Sequence, residues 1–199
     1  MLARRIKRSV AIVKSTKMVI RIFLFLYLFA LSTAAISSEK EQWYRDGKPI
    51  PVDEMPSNMG LEKGFGAQLA LITDESFFKR WATPGGVPSV STVDTVSKGV
   101  LVYAITFFSN PGVVDGYARL SADYKVLNPD GSIYAEHTNL PVLPNNFHFI
   151  EDQIYMSVAK LGITFEPQDH LGIYKVISVI RDEIKNAELR LESEILVNY

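Results

Sequence analysis

The sequence predicts an all-β protein, an antiparallel β-sandwich of about seven or eight short strands with one short helix. Runs such as Leu120 to Val126 and Leu189 to Val197 place apolar residues at nearly every second position, the period of a strand with one face buried. Turn signals separate the runs, among them Asn110-Pro111-Gly112, Asn128-Pro129-Asp130-Gly131 and Pro167. A chain of 199 residues, 47% of them apolar, can close one core around that pattern.

The strands do not start at residue 1. The formal net charge of −1 hides an uneven distribution, because residues 1–35 hold seven basic residues and no acid. The remainder holds 14 basic against 22 acidic residues, a net of −8. Arg21 precedes the apolar block Ile22 to Leu31, and Ser32-Thr33-Ala34-Ala35 follows it. A basic leader, a short apolar stretch and small residues at the cut are the parts of a secretory signal peptide. The leader is long, and a start at Met18 would give a more ordinary one. The apolar block falls short of the roughly 20 residues of a membrane span, so cleavage near Ala35 is expected, with a retained inner-membrane anchor as the alternative. The expected location is the periplasm or the outside of the cell. A chain without Cys has no disulfide staple, thiol nucleophile, Cys-bound zinc or N-terminal lipid-bearing Cys.

Residues 36–63, polar and broken by Pro49, Pro51 and Pro56, read as a tether. The sandwich domain is expected over 64–199. Phe65 to Ile72 is a strand with small residues interleaved. Thr73 or Asp74 then caps a helix from Glu75 to Trp81, whose spacing puts Phe77, Phe78 and Trp81 near one face. This helix is expected to plug an open end or edge of the sandwich. Residues 82–91 form a loop containing Pro84-Gly85-Gly86-Val87-Pro88. Val100 to Phe108 is apolar on both faces, so it is a central strand or one whose outer face is covered. Ala118 to Val126 and Ile133 to His137 form a hairpin about the Asn128–Gly131 turn, where Gly131 is free to take positive φ. A loop is expected over 138–146, weak strands over Phe147 to Ile150 and Gln153 to Val158, and further strands over Leu161 to Phe165, Ile173 to Ile180 and Glu188 to Val197.

The segment Asp169-His170-Leu171-Gly172-Ile173-Tyr174 resembles the entry to strand F of immunoglobulin-like and fibronectin-type-III-like domains, where an acid, a glycine and a tyrosine lead into a core strand. The resemblance implies an immunoglobulin-like sandwich with a tyrosine corner at Asp169, Gly172 and Tyr174. It is carried by residues 167–197 and is architectural elsewhere. The missing Cys pair, and the lack of a Trp on a strand-C position, exclude an antibody-type domain. The chain is also similar to small exported bacterial proteins with no assigned activity, which implies no activity for this one.

Signals for catalysis are sparse. His137, His148 and His170 make no short-spacing metal motif, although a sandwich could bring His137 and His170 together. There is no Gly-x-Ser-x-Gly turn and no glycine-rich phosphate loop ahead of a helix. Glu192 and Glu194 share a strand face with Glu188 and Arg190 and read as solvated rather than as a catalytic pair. No cofactor and no catalytic or metal-binding residue is expected. The expected function is a non-enzymatic protein- or peptide-binding module of the cell envelope, with Trp81, Phe77 and Phe78 as its binding residues. The alternative is a small metal-binding protein or hydrolase using His137 and His170. The expected partner is another envelope protein or an extended peptide. An acidic chain excludes nucleic acid, and membrane contact is expected only through an uncleaved N-terminal segment.

Overall fold

The computed structural model describes residues 43–199, apart from 46–47, 84–87, 145–146, 148 and 151–152. The expected signal peptide, the tether as far as residue 42, His148 and most of the Pro84–Pro88 loop lie outside the described residues. In chain order the described elements are β1 (Tyr44–Arg45), β2 (Lys48–Pro49), β3 (Met59–Glu62), β4 (Phe65–Ile72), helix α1 (Ser76–Trp81), β5 (Thr95–Ser97), β6 (Leu101–Ser109), β7 (Leu120–Leu127), β8 (Ile133–Pro141), β9 (Ile154–Thr164), β10 (Gly172–Asp182) and β11 (Ala187–Asn198). No helix among the described residues is long and apolar enough to cross a membrane.

One sheet has the order β5-β11-β10-β7-β8 and the other β3-β4-β6-β9, with β1 and β2 paired separately. Every pairing is antiparallel except that of β5 with β11. Strands β4, β6 and β9 occupy the A, B and E places of an immunoglobulin-like sandwich. Strands β7, β8, β10 and β11 occupy the C, C′, F and G places, and β5 lies parallel to the last strand as an A′ strand does. The fold is therefore immunoglobulin-like, with β3 added beyond the first strand. The chain crosses from β4 in one sheet to β5 in the other, and α1 lies in that crossing.

The core between the sheets is built from alternate residues of facing strands. Phe65, Leu69 and Leu71 of β4 and Val102, Ala104 and Phe108 of β6 meet Tyr124, Val126, Tyr174, Val176, Leu191 and Ile195 of the other sheet. The expected inward rows of β7 and β11 are the buried ones, with Ser193 interrupting the second. In the β7–β8 turn the Gly131 amide donates to the Asn128 carbonyl at 2.9 Å, and Gly131 has φ of +84°.

Some of this core is polar. The Thr106 hydroxyl lies 2.9 Å from both the Tyr124 hydroxyl and the Ser178 hydroxyl, and Tyr124 also donates to the Ala159 carbonyl at 3.2 Å. A register shift explains why hydroxyls gather there. Ile105 pairs with Lys160 and Phe107 with Met156, so β9 carries three residues where β6 carries Thr106 alone. Such a bulge breaks the ladder, and buried side chains satisfy part of what it leaves.

Four expectations need correction. The described residues from Trp43 to Lys63 are not a tether: the Trp43 indole donates to the Gly60 carbonyl at 3.1 Å, Ile50 is buried, and β3 pairs with β4. Met-Gly-Leu-Glu is too short and too mixed to show a strand period. The expected loop at 138–146 starts later, because β8 runs through Pro141; as the edge strand it needs no donor there. Gln153 to Val158 and Leu161 to Phe165 are one strand, β9, whose bulge interrupts the alternation. Phe147, Phe149 and Ile150 form no strand. The two phenyl rings pack on Tyr155, with centroids 5.4 and 4.9 Å away, which is why they alternate. One strand, β5, carried no signal in its sequence, since Thr95–Ser97 has a single apolar residue.

Candidate functional site

Helix α1 is only six residues long. Its first turn is held by Asp74, whose carboxylate accepts from the Ser76 amide at 2.9 Å and pairs with Arg80 at 2.8 Å. The Ser76 hydrogen bond and then Arg80 hold the Asp74 carboxyl below its ordinary pKa.

The helix does not plug an end or edge of the sandwich. It lies on the outer face of the four-stranded sheet, over the side chains of β4 and β6 that point away from the main core. Phe77 is 1% exposed and packs with Ala70, Ile72, Ile105 and Phe107 in a second, smaller apolar cluster. Phe78 and Trp81 rest on the edge of that cluster, half-buried. The Trp81 ring is 5.1 Å from Phe107, the Phe78 ring is 5.0 Å from Tyr103, and Lys160 Nζ lies 4.2 Å above Phe78. The cluster explains why β6 is apolar on both faces. Of the three aromatics, Phe77 is a core residue, while Phe78 and Trp81 each keep part of their surface in contact with solvent.

Asp169, Gly172 and Tyr174 come together at the entry to β10. The buried Tyr174 donates its hydroxyl to the His170 carbonyl at 2.9 Å, four residues upstream. Gly172, at φ +133°, has Pro129 3.2 Å from where a Cβ would stand. Asp169 accepts from the Glu166 amide at 2.7 Å and from the Tyr134 hydroxyl at 2.8 Å. Tyr134, on β8, was not singled out in the sequence. Its ring packs edge-on against Tyr174 at 5.6 Å and beside Phe165 at 5.8 Å. Replacing Tyr174 with Phe is expected to cost about 1 kcal/mol, the net worth of one neutral hydrogen bond. Urea titration measures this, and an unchanged midpoint would mean the bond does not hold the corner.

Burial raises the pKa of Tyr124, Tyr134 and Tyr174, and the Asp169 carboxylate raises Tyr134 and Tyr174 further. Each folded-state pKa then lies above the unfolded one. Their contribution to stability is present in full below about pH 10 and is lost as pH rises beyond it, since only the unfolded chain ionises readily. The urea midpoint is expected to hold steady from pH 8 to 9 and to fall above 10. The fall should be shallower in Tyr134→Phe, and equal slopes in both proteins would contradict the assignment.

His137 and His170 are far apart. Strand register sets His137 opposite Tyr124 and Tyr124 opposite Ser178, eight residues along the chain from His170. At about 3.3 Å per residue the strand from Gly172 to Ser178 alone sets the two backbones roughly 20 Å apart, too far for their side chains to share an ion. Among the described residues no three His, Asp or Glu side chains group closely enough to hold a metal. Glu192 is paired with Lys175 at 3.0 Å and Arg190 at 2.7 Å, and the Lys175 hydrogen bond leads in holding its carboxyl below the ordinary range.

No known protein family and no curated protein matches this chain by sequence. Solved structures match at low levels. A Niemann-Pick type C2 protein from the Japanese carpenter ant is 10% identical over 52% of this chain and 79% of its own, with a TM-score of 0.34. The CARDB domain of a Pyrococcus furiosus protein, solved in complex with di-metal ions, is 16% identical over 53% of this chain and 81% of its own, with a TM-score of 0.32. A family 123 glycoside hydrolase from Clostridium perfringens is 8% identical over 66% of this chain and 27% of its own, with a TM-score of 0.36. Likenesses this distant carry no argument about activity. The fold assignment rests on the strand order.

Proposed function

We propose that this protein is an exported, non-enzymatic binding module that engages another protein of the cell envelope through the α1 face. The observation that carries the reading is the position of Trp81 and Phe78. Both sit outside the main core, on a helix anchored by the fully buried Phe77, and both are only partly buried. Rigidly seated aromatics give much contact area for few frozen torsions, which suits an interface anchor. Export rests on the basic leader and apolar block of residues 1–35.

Brief cross-linking in living cells, followed by mass spectrometry of the tagged chain, tests both parts. One envelope protein should be recovered repeatedly, and Trp81→Ala should lose it while the chain still unfolds in one cooperative urea transition. The mature N-terminus should fall near residue 36. Recovery of the same partner by a folded Trp81→Ala chain would remove the α1 face from the interface, and an intact Met1 or Met18 terminus would remove cleavage.

A further inference from the structure

The connection from β6 to β7 carries a small hairpin at its tip. Val114 and Tyr117 exchange both backbone hydrogen bonds at 3.0 Å, and between them Asp115 and Gly116 have φ of +54° and +82°. Positive φ at both central positions makes a type I′ turn, which Asp-Gly adopts readily. The side chains beside this turn are apolar, with Val114 51% exposed, Tyr117 50% and Val113 39%. Ile150, 59% exposed, stands next to them, because the Phe149 amide donates to the Gly116 carbonyl at 3.1 Å.

The tip is held from behind. Asp182, buried at the end of β10, accepts from the amides of Gly112, Ile184 and Lys185. Lys185 Nζ donates back to the Asn110 carbonyl at 2.8 Å, and the Glu183 amide donates to the Arg119 carbonyl at 3.0 Å. In the β8–β9 connection the Tyr155 hydroxyl donates to the Ile150 carbonyl at 2.7 Å and accepts from its amide at 3.0 Å. Three connections at one end of the sandwich are tied together, so little ordering remains to oppose binding.

The charge at the apex discriminates among occupants. Asp115 is exposed and takes part in no ion pair among the described residues. A bilayer that took in Val114 and Tyr117 would take in this carboxylate as well, which hydrocarbon disfavours. A second copy docked tip to tip would bring two Asp115 carboxylates together, and like charges across an interface repel. A protein cleft with apolar walls and one Arg or Lys meets the apolar and the acidic groups at once. We propose that the Val113–Tyr117 tip is a preformed docking point for a partner protein whose apolar cleft contains a basic side chain. This surface is separate from the α1 face.

The test places the photo-cross-linker p-benzoylphenylalanine at Val114, at Tyr117 and, as a control, at the exposed Glu194 of β11, in the full chain made in living cells. Positions 114 and 117 are expected to give an adduct with the same protein, and position 194 none. That protein, once identified and purified, should bind the wild-type chain. Asp115→Arg should weaken the binding by about tenfold or more, while Asp115→Glu should change it by less than about twofold. Glu194→Gln, on the exposed face of β11 away from the tip, should leave it unchanged. Urea midpoints confirm that each variant folds. No shared adduct, adducts only with lipid or with a second copy, or equal affinity of Asp115→Arg would overturn the proposal.

Discussion

Asp182→Ala is expected to cost about 4 kcal/mol of folding stability. The carboxylate is 1% exposed and is the shared acceptor for three amides, those of Gly112, Ile184 and Lys185. Hydrogen bonds to a charged group contribute about 1.5–3 kcal/mol each, and leaving a buried amide without an acceptor costs about 1–3 kcal/mol. Partial relaxation of the turn at 183–186 keeps the sum below that of three independent bonds. The neighbouring packing limits such relaxation, because a Cβ at Gly112 would stand 2.7 Å from Ile184. Asp182→Asn keeps one acceptor oxygen and its shape, so it should lose roughly half as much. Urea titration of the three proteins tests the ordering. A loss under about 1 kcal/mol in the alanine variant would mean that the turn holds itself without this carboxylate.

Phe77→Ala is expected to cost about 3–5 kcal/mol, the range for emptying a buried aromatic site. Phe77 packs against Phe107, Phe78 and Trp81 with centroids 5.8–6.0 Å away, and it is the one fully buried side chain of α1. Its removal should release the helix from the sheet, because six residues cannot hold a helix without tertiary contacts. Trp81→Ala removes a half-buried ring from the border of the same cluster and should cost distinctly less. The contrast separates a residue that builds the face from one that presents it. Equal losses would make Trp81 a core residue and weaken its assignment as a contact. Hydrogen exchange of the α1 amides gives the same comparison locally, with protection lost in Phe77→Ala and retained in Trp81→Ala.

The candidate surfaces were unequally legible in the sequence. The spacing of Phe77, Phe78 and Trp81 marks an aromatic helix face, but spacing does not say which ring is buried. That depended on Phe107 and Tyr103, which reach the helix only because β6 turns one face outward. The Val113–Tyr117 tip had its own signal, an Asp-Gly pair between apolar residues. It was obscured by Asn110-Pro111-Gly112, which reads as a plain break in the strand. Tyr134 carries no local mark of its place in the corner, because Asp169 and Tyr174 are far away in the chain.

What the sequence determined by itself is whatever depends on neighbours within a few residues. The period of β7 and β11 sets which side chains are buried, Asn128–Gly131 sets a turn, and Phe77 to Trp81 sets a helix face. These follow from backbone geometry and local hydrogen bonding. Tertiary structure decided what depends on residues distant in sequence. It separated His137 from His170, brought three hydroxyls together at the β9 bulge, placed α1 on a sheet face rather than at an end, and drew Trp43 and β3 into the fold. In each case the deciding energy is burial or pairing against a residue far along the chain, and no local pattern records such a partner.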